Sequence, residues 1–378
     1  MSVLTEEQSL IREQASAWAL NKAPVSSFRA LRDSDSGNGH APQTWQAMVD
    51  MGWSGILISE QHGGSDLGYR TFGLILEQLG SQLTASPLFA SSLVGASALL
   101  LGGSPAQCEA VLPQIVDGSA ILTLAVDESP HHAPQQTAMT ATKAEDGFKL
   151  SGKKTFVPEG LSATHFIVPA RTAGAVGEAQ GISIFLVPAS AAGLARTALP
   201  TIDSRDYARL EFNEVTVDET ALLGELDAGM VILEPLLDRA RAGMSAEMLG
   251  TASQAFDMTL EYLKTREQFG KVIGSFQALG HRAATLFSAK EQARSCVEAA
   301  LQAIDADDDN VPELVSLAKC RVGQFLYDMS NELIQIHGGI GMTDEFDAGL
   351  YLKRARTLET SYGNRAFHRD RYATLLGF

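Results

Sequence analysis

The residues after Leu223-Gly224 carry three long apolar stripes, and these restrict the fold more than any other feature of the chain. Leu249, Ala252, Phe256, Leu260 and Leu263 recur at steps of three and four. Phe276, Leu279, Ala283 and Leu286 do the same, and Ala293, Val297, Ala300 and Ile304 prolong that face. Leu314, Ala318, Val322, Phe325, Met329, Leu333 and Ile336 make the third stripe. Such steps place every member on one side of an α-helix. Three helices with one apolar side each cover one another, so a helical bundle is expected. Pro312 suits the first turn of the third helix, where no backbone N–H is required.

Ahead of the bundle the texture differs. Residues 1–120 read as short helices joined by glycine-containing loops. Thr5 and Gln8 have capping-box spacing and start a helix toward Trp18. His62 to Gly68 reads as a loop, after which 74–79 resume a helical pattern. Residues 137–143, 148–150, 153–157, 165–169, 182–187 and 208–212 are short β-type runs separated by turn residues such as Glu145-Asp146-Gly147 and Ser151-Gly152. The expectation is a mainly α chain with a β middle domain: 1–120 helical, 121–227 an antiparallel sheet, 228–378 a helical bundle.

Charge and cysteine usage exclude several function classes. The chain holds 29 basic and 45 acidic side chains, a net charge of −16. Phosphate contacts need clustered Lys and Arg, so neither nucleic acid nor an anionic membrane is expected as a partner. Cys108, Cys296 and Cys320 are widely spaced, which fits a reducing compartment and predicts no zinc or other metal site. The acidic, polar N-terminus lacks a signal-peptide pattern, and the apolar run 93–101 is far short of the ~20 residues that span a bilayer. A cytoplasmic location is expected.

Several motif-like strings fail on context. Gly147 to Lys154 approximates a P-loop but ends in Lys and has no helix after it, so a β-hairpin lysine pair is the reading. Asp305 to Asn310 imitates a calcium loop, but Asn310 replaces the required Gly and Ser316 the bidentate Glu; a solvated inter-helix loop is expected. His131-His132 reads as a surface loop rather than a metal site. Gly338-Gly339-Ile340-Gly341 follows a helix, not a strand, which disfavours a Rossmann reading.

Two segments carry chemistry. From Tyr262 to Gln277 a helix ends in a glycine-broken loop holding Arg266, Gln268, Phe269, Phe276 and Gln277. From Gln335 to Phe346 a helix ends in Gly338, Gly339 and Gly341, whose backbone N–H groups suit an anion. In this order and at this separation they closely resemble the acyl-CoA dehydrogenase family. The resemblance extends to Leu4-Thr5-Glu6-Glu7-Gln8, Met51-Gly52-Trp53 through Gly68, Leu76-Glu77-Gln78-Leu79-Gly80 and 210–224. It implies an α-helical domain, a β-barrel-like domain and a C-terminal four-helix bundle. It also implies FAD-dependent α,β-dehydrogenation of an acyl-CoA thioester: a carboxylate removes the α-proton while the β-hydride passes to the flavin. Arg266, Gln268, Phe269, Phe276 and Gln277 are implied as contacts to FAD. Gln335, Gly338 and Gly339 are implied as contacts to the FAD of a neighbouring subunit. Arg241 matches a position near the acyl-CoA pocket, with a bundle-surface ion pair as the alternative. Electron-transfer flavoprotein is the implied acceptor, and fatty acid or steroid side-chain degradation the implied setting.

The chain departs from the family where the base should be. The usual Glu lies 27 residues after the position of Gln335, which is Tyr362; the alternative Glu position, just before Arg241, is Ala240. Glu359, Asp238 and Glu247 are acidic neighbours read mainly as solvent-facing or ion-paired, Glu359 being a weak candidate base. In the β domain, Val126-Asp127-Glu128-Ser129-Pro130 replaces a Thr-Glu-Pro loop, and Phe156-Val157-Pro158 replaces a Trp-Ile-Thr or Trp-Ile-Ser string. Proline offers no hydroxyl or N–H. This pattern, with 349–355, resembles the small or β-type subunits of heteromeric acyl-CoA dehydrogenases, whose sister subunit carries the Glu. Two other readings remain: a self-sufficient homotetramer with a displaced base, and a non-catalytic structural or CoA-sensing member.

Overall fold

The computed structural model describes residues 3–34 and 39–378. The first part contains α1 (Glu6–Lys22), α2 (Val25–Arg32), α3 (Pro42–Asp50), α4 (Gly68–Ser81), α5 (Ala96–Gly102) and α6 (Pro105–Val116). Then come β1 (Leu122–Leu124), β2 (Thr140–Ala144), β3 (Gly147–Pro158), β4 (His165–Arg171), β5 (Ile182–Pro188), β6 (Leu194–Ala198), β7 (Tyr207–Val217) and β8 (Leu222–Leu223). The last part holds α7 (Met230–Thr265), the short strands β9 (Glu267–Gln268) and β10 (Lys271–Val272), α8 (Gln277–Asp305), α9 (Val311–His337), α10 (Ala348–Thr360) and α11 (Arg365–Leu375). The chain forms two compact units. One comprises the chain through Arg32, Tyr69–Thr84 and Arg241–Phe378; the other comprises Asp33–Gly68 and Ala85–Ala240.

In the helical unit the three stripes become α7, α8 and α9. Leu249, Phe256, Leu263, Val297, Val322, Phe325 and Leu333 are all buried. The capping box at Thr5 forms as the spacing predicts, with Gln8 N donating to Thr5 Oγ1 at 3.1 Å and Thr5 N to Gln8 Oε1 at 3.3 Å; the helix continues to Lys22. Helices α4 and α7 approach backbone to backbone. A Cβ on Gly250 would lie 1.8 Å from Glu77 O, and one on Gly80 would lie 2.4 Å from Glu247 O. Arg294 of α8 then clasps Glu77 through both terminal nitrogens, at 2.8 and 3.2 Å. The loop between α8 and α9 is not wholly solvated as expected. Asp305 at its start accepts Tyr69 N at 2.6 Å and Arg70 N at 2.9 Å, capping α4 from a distant helix.

The other unit is built on an eight-stranded sheet ordered β6-β7-β3-β2-β4-β5-β8, with β1 beside β4. It is mixed rather than purely antiparallel, because β1 and one residue of β2 run parallel to β4. Its core includes Phe148, Leu150, Phe166, Phe185, Leu210 and Phe212, with Phe148 and Phe185 at 5.1 Å between ring centres. The two runs expected at 148–150 and 153–157 are one strand, β3. Pairing with β7 carries the backbone through Ser151-Gly152 as a bulge instead of a turn. Strands β1, β6 and β8 escaped the sequence reading: β1 and β8 have three and two residues, and the mostly exposed edge strand β6 lacks an alternating pattern.

The lysine pair lies on β3, the second strand of the β2–β3 hairpin, and its two side chains alternate across that strand. Lys153 points out to Glu211 at 2.7 Å. Lys154 is buried on Glu128 at 2.7 Å, burial lowering its pKa against the pull of that carboxylate. His132 is also not a free surface residue: its buried ring sits with Nδ1 2.8 Å from Asp127 Oδ1. Among the described residues no cluster of three or more metal-ligating side chains occurs, and no helix is long and apolar enough to cross a membrane.

Candidate functional site

The C-terminus of α7 turns directly into a tight hairpin. Arg266 N closes the last turn of α7 on Tyr262 O at 2.9 Å, and Lys271 and Val272 pair with Gln268 and Glu267. The tip is Phe269-Gly270, with φ of +55° and +76°. Such a two-residue tip normally has Asn or Gly at its first position. A phenylalanine there is strained by about 1 kcal/mol or more, and its ring is 92% exposed. A strained, solvent-facing aromatic points to function, not to packing. The ring lies edge-on to Phe276, at 6.1 Å between centres. Arg266 and Gln268 are exposed; the Arg266 guanidinium forms no ion pair or hydrogen bond with the described residues, and Gln268 Nε2 donates to Glu267 O. Gln277 is the exposed first residue of α8.

The second segment begins where α9 stops. Gly338 adopts φ +62° and ψ −133°, a region closed to other residues, and among the described residues nothing lies within 4 Å of a Cβ placed on Gly338 or Gly339. Both glycines and Gln335 are exposed. A guanidinium, side-chain amides, open backbone N–H groups and a bare aromatic form the donor set that a pyrophosphate-linked purine dinucleotide requires. The residues present therefore fit FAD.

His337, which the sequence reading passed over, ties the two segments together within one protomer. Its ring, 4% exposed, stacks on Tyr262 at 4.2 Å and leans on Phe346 at 4.7 Å. Nδ1 donates to Leu333 O at 2.7 Å, and burial lowers its pKa. The sequence signal was its place, directly between an apolar stripe and a glycine pair.

A third cluster surrounds the expected base position. Tyr362 follows α10, is 6% exposed and has φ +55°. Its carbonyl accepts Arg241 Nε at 3.3 Å and His368 Nε2 at 3.1 Å. Arg241 is completely buried with its guanidinium 5.3 Å from the centre of the Phe367 ring, so it lies in the interior and not on the bundle surface. Glu359 accepts Arg365 Nε at 3.1 Å, and Glu247 accepts Arg354 Nη2 at 2.6 Å, so both carboxylates are ion-paired. Ala240 and Asp238 are buried. In the sheet unit Phe156 has φ +51° and is partly exposed, one step before Val157-Pro158.

His368 allows a pH prediction. Burial first, then the charges of Lys319 and Arg241, hold its pKa far below 6.5. The unfolded chain takes up this proton as pH falls through about 6.5 while the folded chain does not, so stability is present above that pH and lost below it. Between pH 6.5 and 5 the melting temperature should fall less steeply for His368→Gln than for the parent. Equal slopes would remove His368 from the acid limb.

Comparison with other proteins places these features in context. Sequence models for the acyl-CoA dehydrogenase N-terminal, middle and C-terminal domains match residues 5–119, 128–215 and 227–376. The chain is similar to acyl-CoA dehydrogenase FadE27 of Mycobacterium tuberculosis, 30% identical over 328 residues, covering 85% of this chain and 84% of that protein. Its fold matches the ChsE4–ChsE5 complex of Mycobacterium tuberculosis with TM-score 0.90 and 28% identity, over 100% of this chain and 99% of that one. It matches the steroid acyl-CoA dehydrogenase Tcur3481–Tcur3483 with TM-score 0.88 and 28% identity, over 98% of both chains.

Proposed function

Starting from a chain that belongs to the acyl-CoA dehydrogenase family, we propose that it is the subunit of a heteromeric enzyme whose homologous partner subunit carries the carboxylate base. The family membership makes it an FAD-dependent oxidoreductase acting on the CH–CH bond of acyl-CoA thioesters. One observation carries the finer reading. Tyr362 and Ala240 occupy the two positions where the family places its base, while the Arg266-to-Gln277 and Gln335-to-Gly341 segments are kept. A phenol with an ordinary pKa near 10 is about 0.1% ionised at neutral pH, so Tyr362 is a poor acceptor for the α-proton. Glu359 is a poor substitute because Arg365 holds it at the start of α11. The matched ChsE4–ChsE5 structure is itself a complex of two different chains.

In this reading Arg266 and Gln268 bind the pyrophosphate side of FAD, and Phe269, Phe276 and Gln277 flank it. Gln335, Gly338 and Gly339 offer donors to the FAD of the partner subunit, and Arg241 supports the acyl-CoA pocket. Bound FAD supplies a hydride acceptor, which protein side chains lack. Pro158 brings no donor to the ring, so this chain contributes cofactor grip more than chemistry. Electron-transfer flavoprotein is the electron acceptor, the location is cytoplasmic, and a steroid side chain is a candidate acyl group.

The test is to purify the chain alone and co-expressed with a Glu-bearing homologue, then measure flavin absorbance and dye reduction over a range of acyl-CoAs. The complex should turn over at least about 100-fold faster than the chain alone, the low end of what a positioned base contributes. Equal turnover by the chain alone would instead identify a self-sufficient homotetramer. A colourless, inactive chain in both preparations would identify a structural or CoA-sensing member.

A further inference from the structure

The cluster around Tyr362 contains a buried charge that neither the cofactor nor the substrate reading uses. Lys319 lies on α9 beside Ala318, within the apolar stripe, and is 2% exposed. Its Nζ points at the end of α10 and donates to Leu358 O at 3.1 Å, Glu359 O at 3.4 Å and Gly363 O at 3.2 Å. An ammonium has three N–H donors, and three carbonyls receive them. The peptide they enclose is strained at Tyr362, whose φ is +55°, and is followed by Gly363 at +102°, which glycine adopts freely. A Cβ on Gly363 would lie 2.4 Å from Phe367 Cδ1. Left-handed backbone at a tyrosine persists only where its surroundings over-determine it. Here contacts from three other helices do so: Lys319 of α9, Arg241 of α7 and His368 of α11.

We infer that Lys319 is a positioning residue, whose ammonium clamps the Leu358–Gly363 turn and thereby sets the direction of the side chain at position 362. The clamp rests on these distances; only its importance for the reaction rests on the reading of 362 as the vacated base position. The turn keeps its aim although it no longer carries a carboxylate.

The clamp is complete only with the lysine charged. A neutral amine has two N–H groups and turns a lone pair on the third carbonyl. The charged groups facing Lys319 are Glu359 on α10, which favours its proton, and Arg241 on α7, which opposes it; His368 and Arg365 of α11 lie on the same turn. Burial, the largest influence, brings the amine down to about 7. The turn should therefore loosen as pH rises through the neutral range.

The test is hydrogen–deuterium exchange on the purified full chain, with each rate corrected for the intrinsic effect of pH. Between pH 6 and 9 the protection of residues 358–364 should fall at least about tenfold while that of α8 stays constant. In Lys319→Met the same peptide should already be unprotected at pH 6 and show no further change. Lys319→Gln is a second variant, and the parent pH series needs no variant at all. In a Tyr362→Glu background, removing Lys319 should lower kcat about tenfold with KM unchanged. Protection that is pH-independent in the parent, or lost equally throughout the helical unit of Lys319→Met, would overturn the proposal. None of these exchange readouts depends on a partner subunit, so failure of the heteromer reading and failure of the clamp are distinguishable.

Discussion

Tyr362→Glu should raise turnover by the isolated, FAD-loaded chain by about 100-fold. A positioned general base contributes roughly 10²–10⁴-fold, and the lower end applies because Pro158 still offers no donor to the flavin ring. The gain is expected because the backbone of residue 362 is already held on both sides, by Arg241 and His368 at its own carbonyl and by Lys319 at the neighbouring ones. A carboxylate placed there needs no remodelling of the turn. The measurement is dye reduction with short-chain, branched and steroid side-chain CoA esters, alongside flavin content. No gain at full flavin content would mean that residue 362 is not the vacated base position.

Gly250→Ala should destabilise the helical unit by about 3 kcal/mol, the upper range for forcing an extra carbon into a packed core. The new Cβ would lie 1.8 Å from the Glu77 carbonyl, which belongs to the backbone of α4 and cannot rotate away. The reciprocal contact of Gly80 with Glu247 O prevents a simple slide of one helix along the other. Gly280→Ala supplies the control. Its Cβ, inside α8, would meet nothing within 4 Å among the described residues, so removing a helix-interior glycine should stabilise by roughly 0.5–1 kcal/mol. Thermal melting of both variants decides the matter: similar melting temperatures would contradict the close crossing of α4 and α7.

Local patterns were legible because their physics is local. The steps of three and four predicted α7, α8 and α9, and Thr5-Gln8 predicted a capped helix start, since period and cap chemistry involve residues within one or two turns. The same logic failed at Ser151-Gly152, where turn-forming residues lie within a strand because β7 pairs across them. It failed again at Asp305, whose carboxylate serves a helix more than 200 residues earlier in the sequence. The two glycine-broken segments stand out in the sequence and their family resemblance implies FAD, but neither reveals the ring of His337 that packs one against the other.

Sequence alone established the helical faces, the middle β region and the family resemblance, which implies base positions at Ala240 and Tyr362. All of these depend on residue identity and spacing. The fold decided which charges remain available. Glu359 and Glu247 are ion-paired, Arg241 is buried on a peptide carbonyl, and Lys319 holds a strained turn. These outcomes depend on desolvation and on contacts among residues 241, 319, 362 and 368, which come together only when four helices pack.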